Sequence, residues 1–528
     1  MYAVGMCVDV MAVDAAQYAE ISLEMLRTKS FLQVHALGRD YLDKPPLLFW
    51  LSSLSFWLFG AGTFSYKLPS VLFTLLGIYS TYRFALLYHT RRVALLAALM
   101  LATTQALFLI TNDVRTDTLL MGAVIFAIWR LAAWTESGRL TDLLAGCIGV
   151  GLALLSKGPV GLIAVGAAIL PHILMRGQWR LLLRPALLAG IGLIAVMLTP
   201  MCIGLYEQYG MKGLRFYFWT QSFGRITGES EWNNHPDTFF LLHSTAWAFM
   251  PWTLFLLGGW ITSLIAMVRD RAALPEYISV SGFTLVLIAL MCSHYQLPHY
   301  SFVVYPLGAV MAARFYEQLD RRTVWFKSLV IIQLIILVAI VIVAGLLQYC
   351  FKGADTISLL SLVAVFLAAI IGVFTVRRRD LIIRVSAATI LAFNLLMSAI
   401  YFPAIMRYQP GGDFGRYARQ HTDGVHSEYV TYHYLAGYEE VFYSRRTPPQ
   451  DIWDRTIFKN KLQEKKHLVV ATTEYGWYDL QQAGMQVKMI EERQAYRVSS
   501  LTGTFLNPAT RDGVCEKVYL LEVVSESQ

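Results

Sequence analysis

The length of the apolar runs is what most constrains this chain. Stretches of about 20 predominantly apolar residues, the length an α-helix needs to cross the hydrocarbon core of a bilayer, recur between Leu68 and Phe402. Inside hydrocarbon every backbone N–H and C=O needs an internal partner, so such runs fold as helices and not as loops or open sheets. Read with this ruler, roughly twelve spans begin near Leu68, Val93, Thr118, Leu140, Val160, Leu183, Phe239, Tyr277, His299, Ser328, Thr356 and Leu381. The composition agrees, with 56% of residues hydrophobic and 15% charged, where soluble domains carry roughly 25% charged residues. A soluble protein, a disordered chain and a coiled coil are excluded. Six cysteines without paired spacing exclude a disulfide scaffold, and Cys147, Cys202 and Cys292 read as small hydrophobes.

The formal net charge of +8 is a topology signal and not the basic face of a nucleic-acid binder, because Lys and Arg are retained on the cytoplasmic side of a membrane protein. Alternate loops carry Arg91 and Arg92; Arg139; Arg176, Arg180 and Arg184; Arg269 and Arg271; Arg314, Arg321, Arg322 and Lys327; and Arg377, Arg378, Arg379 and Arg384. The short loops of the other set hold Arg115, Lys157 and Lys352. The expected outer face therefore carries Asp14, Lys44, Asp117, Lys157, the long 206–237 loop and everything after Phe402. Pro46 to Gly60 is short, aromatic and preceded by two prolines, which predicts a juxtamembrane helix lying in the interface. Met1 to Met11 is too short to span and lacks a signal-peptide layout, so a first membrane helix is expected to be missing from the 1–67 segment.

Beyond Tyr408 the pattern changes. Period-2 runs at Glu428–Tyr432, His467–Thr472 and Lys517–Val524 predict strands, with helical stretches near Tyr438 and Tyr478. The expected organisation is an outer-face segment with juxtamembrane helices (1–67), a transmembrane domain (68–403) and a small extracytoplasmic α/β domain (404–528). That last unit has no Gly-rich phosphate loop, metal spacing or nucleophile elbow.

In such a chain function is sought in ionisable residues at span ends, since charge at bilayer depth is costly unless solvated or paired. Asp14 opens a helical segment in which Tyr18 shares its face; it suits a helix N-cap as well as a site. Lys44, in Tyr41-Leu-Asp-Lys-Pro-Pro, is held extended by Pro45 and projects from a stiff turn, either towards an anionic head group or as a snorkelling lysine. Asn112-Asp-Val-Arg-Thr-Asp117 places two carboxylates and a guanidinium at a helix junction. There Asp113 and Arg115 read as a surface pair, and Asp117 sits deeper. Ser156-Lys-Gly-Pro-Val-Gly breaks an apolar run, with glycine allowing close backbone approach and Lys157 supplying a point charge suited to phosphate; a simple turn is the other reading. The long loop adds Arg215, Arg225 and His235 among aromatics. His294 and His299, five apart across Pro298 without a nearby Glu or Cys, make a poor metal site. No obligatory cofactor is expected, and a divalent metal is not indicated.

The ordered set Asp14-Ala-Ala-Gln-Tyr-Ala-Glu-Ile, Tyr41-Leu-Asp-Lys-Pro-Pro-Leu-Leu-Phe-Trp-Leu, Phe59-Gly, Lys67-Leu-Pro-Ser, Arg115-Thr-Asp-Thr, Ser156-Lys-Gly-Pro and Pro251-Trp closely resembles the polyprenyl-phosphate-sugar-dependent membrane glycosyltransferases. These are bacterial relatives of the protein O-mannosyltransferases and include the aminoarabinose transferase acting on lipid A. The resemblance implies a mainly α, polytopic bundle of the GT-C fold and an inverting transfer from a polyprenyl-phosphate-linked sugar to a lipid, glycan or protein acceptor. The reaction would take place on the outer face of the inner (plasma) membrane. It implies Asp14 and Asp117 as the acidic catalytic residues, and Lys44, Lys157 and Arg225 as ligands of the lipid phosphate. Tyr18, Asp43, Pro45 and Tyr300 support them. Ala15 and Gln17 stand where many relatives carry an acid and a base, so part of the charge network is expected to differ. A polytopic transporter or lipid-linked-sugar flippase is the rival class; such proteins tend to place charges in mid-span and to repeat internally, whereas here the charges cluster on one face and no repeat is visible.

Overall fold

The computed structural model describes residues 1–221, 224–227, 234, 237–270, 274–320, 322–351 and 380–525, without the side chains of 225 and 226. It is a mainly helical bundle carrying a small sheet domain at its C-terminal end. Among the described residues six helices are long and apolar enough to cross a membrane: Thr63–Tyr88, Thr116–Ser137, Leu140–Lys157, Ala186–Tyr209, Val324–Cys350 and Leu381–Met406. Arg91–Ala102 and Gln105–Asn112, bent by 46°, make a seventh if counted as one span. The chain is a multi-pass membrane protein.

Among the described residues fewer helices reach spanning length than the twelve expected spans. The span predicted near Thr356 lies outside the described residues. Near Val160 and Tyr277 the helices are the shorter Pro159–Met175 and Ile278–Met291. Near Phe239 the apolar run divides into Phe240–Ala248 and Thr253–Arg269, and near His299 a 3-10 turn, Pro298–Val304, precedes Tyr305–Gln318. These breaks have local causes, since Pro251 cannot donate to a helical hydrogen bond and Pro298 restarts the chain after an extended Leu297.

The spans pack closely where small residues permit. A Cβ on Gly122 would lie 2.4 Å from the Phe73 carbonyl oxygen, so glycine there lets the Thr63–Tyr88 and Thr116–Ser137 helices approach backbone to backbone. The juxtamembrane expectation for Pro46–Gly60 corresponds to a 13-residue helix, Leu47–Phe59. It buries Leu47, Leu48, Phe49, Ser52, Ser53 and Phe56 and leaves Leu54, Trp57, Leu58 and Phe59 exposed. Its inner face lies on the Asp14–Thr28 helix, where the Ser53 hydroxyl donates to the Ser22 carbonyl at 2.7 Å. The first residues are not a loose tail: Lys67 Nζ, fully buried, donates to the Gly5 carbonyl at 3.1 Å, and Val10 N–H donates to the Tyr443 hydroxyl at 2.9 Å.

Two short strands, β1 (His35–Ala36) and β2 (Arg39–Asp40), form a hairpin beside the Asp14–Thr28 helix. The C-terminal sheet comprises β3 (Ser427–Tyr432), β4 (Gln450–Ile452), β5 (His467–Thr473), β6 (Gln486–Ala495) and β7 (Glu516–Val524), in the order β4-β3-β5-β7-β6. β3 pairs in parallel with β4 and β5, and β7 runs antiparallel to β5 and β6. Strand side chains alternate between faces. Val430, Tyr432, Leu468, Val470, Leu521 and Val523 therefore build one core, and Tyr429, Val469, Ala471, Val518 and Leu520 build another beneath Phe414 and Ala418. The three predicted strands and the helices near Tyr438 and Tyr478 are present. β4 and β6 lacked a clean alternating signal because they are short or half-exposed. Gln17 Nε2 donates to the Tyr438 hydroxyl at 2.9 Å, tying this region to the Asp14–Thr28 helix.

Candidate active site

Four chain segments converge at one end of the bundle. The Asp14–Thr28 helix begins at Asp14 itself; the cap position is Val13 and carries no side-chain bond. The capping alternative is not realised. The Asp14 carboxylate, 40% exposed, is paired with the Arg115 guanidinium, whose Nε also donates to Asp113 Oδ2 at 2.8 Å. Arg115 thus bridges two acids instead of forming the surface pair expected with Asp113 alone. Burial works against its charge, but Asp113 and Asp14 outweigh that and hold the guanidinium more firmly protonated than usual. With Gln17 turned to Tyr438, the positive charge beside Asp14 comes from Arg115.

Asp117 sits in the first turn of Thr116–Ser137, and its side chain is 4% exposed. Lys157 is the last residue of Leu140–Lys157. An acid at a helix N-terminus and a cation at a C-terminus both suit the helix dipoles, and the two meet with Lys157 Nζ 2.5 Å from Asp117 Oδ1. The Leu140–Lys157 helix stops there because Gly158 adopts φ +71°, ψ −153°, a conformation open essentially to glycine alone. The ammonium lies 3.9 Å from the centroid of the Tyr300 ring, and His299 Nε2 stands 3.8 Å from Asp117 Oδ2.

Lys44 projects from the turn before the Leu47–Phe59 helix, its Nζ 2.8 Å from Asp43 Oδ2. Asp43 is fixed in turn by Gln221 Nε2, which donates to its carbonyl at 2.7 Å and its Oδ1 at 2.9 Å. Tyr18 stays protonated: burial, then the neighbouring Tyr41, Asp14 and Asp43, push its hydroxyl well up.

These groups line two adjoining cavities. A polar one of about 560 Å³ is bounded by Asp14, Tyr18, Asp43, Lys44, Arg115, Asp117, Lys157, Tyr295, His299 and Tyr300. An apolar one of about 1290 Å³ is lined by Pro45, Pro46, Leu120, Val160, Ile163, Met201, Leu205, Tyr217 and Leu290, among others. Asp43, Lys44, Lys157 and Tyr300 border both, so the two lysines stand at the boundary between a greasy and a charged compartment. The structure brings together every site residue read from the sequence except Arg225, whose side chain lies outside the described residues. The bridging role of Arg115 and the positions of His299 and Gln221 were not read from the sequence. The sequence signal for His299 is its adjacency to Tyr300, whose ring it meets edge-on with centroids 5.1 Å apart. Among the described residues no three His, Cys, Asp or Glu side chains gather as a metal site.

Residues 43–203 match the model of the dolichyl-phosphate-mannose-protein mannosyltransferase family. The chain is 27% identical over 308 residues to the undecaprenyl phosphate-α-4-amino-4-deoxy-L-arabinose arabinosyl transferase of Serratia proteamaculans, covering 57% of this chain and 54% of that one. It is 26% identical over 313 residues to the Pseudomonas aeruginosa enzyme of the same name, covering 58% and 56%. The chain spans about half the length of the curated relatives it matches. The crystal structure of ArnT from Cupriavidus metallidurans bound to undecaprenyl phosphate superposes with a TM-score of 0.74, at 18% identity over 98% of this chain and 95% of that one. The fold is therefore the GT-C fold, and the similarity is to the polyprenyl-phosphate-dependent transferases to which the motif set pointed.

Proposed function

We propose that this protein is an inverting glycosyltransferase that moves a sugar from a polyprenyl-phosphate donor to an acceptor at the outer face of the inner membrane. The observation that carries this reading is the pair of joined cavities with Lys44 and Lys157 on their shared border. A polyprenyl phosphate sugar has the same three parts: an apolar chain for the larger cavity, a phosphate for the lysines, and a sugar for the polar cavity. The ligand named for the Cupriavidus structure and the relatives' names favour this over a transporter or flippase.

On this reading the roles divide by environment. Asp14 is accessible and faces the polar cavity, so it takes the proton from the acceptor hydroxyl or phosphate as it attacks the sugar carbon, with general-base assistance typically worth about 10²–10⁴-fold. Asp117 is buried and engaged by Lys157; it orients the ammonium, and the catalytic contribution read from the sequence becomes electrostatic. Lys44 and Lys157, with Arg225 from the long loop, stabilise the negative charge that grows on the departing lipid phosphate, an effect worth several kcal/mol in a site that excludes water. Tyr18 and Tyr300 line the cavity, and Asp43 and Pro45 hold Lys44. The organisation consistent with this is an outer-face segment (1–67), a transmembrane catalytic domain (68–403) and an extracytoplasmic domain (404–528).

Mass spectrometry of envelope lipids and glycoproteins from a deletion strain, complemented with wild type or with Asp14→Asn, tests the proposal. Loss of one sugar-bearing species, restored by wild type only, is expected. An unchanged profile, together with movement of the lipid-linked sugar across vesicles by the purified protein, would instead favour the transporter class.

A further inference from the structure

A second charged feature lies at the other end of the Asp14–Thr28 helix. A cleft of about 870 Å³ is lined by Arg27, Thr422, Glu428, Arg445, Arg446 and Pro448. Each guanidinium is held by a backbone carbonyl: Arg27 by that of Arg446, Arg445 by that of Ala61, and Arg446 by that of Thr422. Among the described residues none of the three has a carboxylate within ion-pair distance. The only acid lining the cleft, Glu428, is neutralised by Lys461 at 3.0 Å and Lys465 at 3.2 Å. Arg446 Nε is buried without a partner. One carbonyl occupies little of the five-donor fork that arginine offers to phosphate.

The surroundings name the source of the phosphate. Arg445 is anchored on Ala61, in the turn between the juxtamembrane helix and the first long span. That turn is flanked by Trp57 (71% exposed), Leu58, Phe59 and Phe64. Exposed aromatic and aliphatic side chains beside a cationic cluster at the end of a span are the pattern of a membrane interface that meets anionic head groups.

We propose that Arg27, Arg445 and Arg446 form a binding site for the phosphate of an anionic membrane lipid whose acyl chains lie along Trp57–Phe64. The site is separate from the cavity of Asp14: Arg27 is thirteen residues further along the same helix, about 20 Å at 1.5 Å per residue. A lipid held here therefore does not present that phosphate to Asp14. The inference does not depend on the transferase reading, since it concerns binding alone.

Photo-crosslinking of the full chain in neutral-lipid nanodiscs, with phosphatidylglycerol carrying a diazirine in its acyl chain, tests it. Labelling mapped by peptide mass spectrometry is expected within 56–64, competed by unlabelled phosphatidylglycerol but not by phosphatidylcholine or inorganic phosphate. It should fall at least fivefold in Arg445→Gln and in Arg27→Gln. Arg27 and Arg445 are exposed, so these variants retain the fold; Arg446→Gln is a third arm, read only if its thermal unfolding matches wild type. Equal competition by phosphatidylcholine would reduce the site to its apolar face. Equal competition by inorganic phosphate would make it a free-anion site, and undiminished labelling in both exposed variants would remove the arginines from it. Any of these overturns the proposal, and none of them bears on Asp14.

Discussion

Replacing Lys157 by methionine isolates the central ion pair. The Lys157 side chain is 15% exposed and that of Asp117 4%, with 2.5 Å between Nζ and Oδ1. Removing one partner of a buried pair leaves an uncompensated charge and typically costs about 3–5 kcal/mol. His299 remains 3.8 Å from Asp117 Oδ2, which sets the expected loss for Lys157→Met at the lower end, about 3 kcal/mol. Asp117→Asn leaves the ammonium against the Tyr300 ring at 3.9 Å, a contact worth up to about 2 kcal/mol when desolvated, so this variant loses less. The double variant Lys157→Met/Asp117→Leu leaves no charge to bury and returns to within about 1 kcal/mol of wild type, since apolar replacements of buried pairs are often neutral. Reversible unfolding in mixed micelles, followed by tryptophan fluorescence, reads all three. Donor binding, measured in parallel, stays weak in both Lys157 variants, including the restabilised one. A loss below about 1 kcal/mol for Lys157→Met, the range of exposed pairs, would refute the burial argument. So would a double variant no more stable than the single.

Asp14→Asn should lower turnover by at least about 10²-fold with unfolding unchanged, because Arg115 keeps Asp113 at 2.8 Å; wild-type turnover with donor and acceptor saturating would remove Asp14 from the base role. Lys44→Ala should weaken donor binding and slow the reaction while leaving stability alone, and unchanged kinetics would restore the snorkelling interpretation. Gly158→Ala should cost about 1–3 kcal/mol through backbone conformation and not crowding, as the nearest atoms to a new Cβ lie 3.6 Å away in Tyr217; equal stability would show that the helix end can relax. Glu20, on the buried face of the Asp14–Thr28 helix, has its carboxyl pushed up to about 8 by burial and then by Glu24. A proton held more tightly in the fold than in the unfolded chain stabilises fully below about pH 4.5, and that stabilisation is lost as pH rises through about 8. Thermal unfolding between pH 5 and 8.5 should therefore fall with pH in wild type and flatten in Glu20→Gln; identical slopes would contradict this.

The fold class was legible because its signals are local and additive. Twenty apolar residues need a bilayer whatever surrounds them, and the alternation in Glu428–Tyr432 or Lys517–Val524 needs only the two faces of a strand. The same locality limits what apolar content says of helix lengths: near Phe239 and His299 it does not register the breaks around Pro251 and Pro298. The candidate site showed in the sequence as a set of residue types at span ends, and Asp14, Lys44, Asp117 and Lys157 line one polar cavity. Which carboxylate meets which cation did not show there. Asp14 finds Arg115 across 101 positions, and Asp117 finds Lys157 across 40; no periodicity or propensity links residues so far apart. Only the packing of the Thr116–Ser137 helix against its neighbours brings those ends together. Coulomb attraction and burial then turn four conspicuous charges into an accessible carboxylate, a buried ion pair and a lysine at the edge of an apolar cavity. The sequence determined that the chain would live in a membrane and keep its few charges at its ends; the tertiary structure decided which of those charges are free to act, because that depends on distance and exposure.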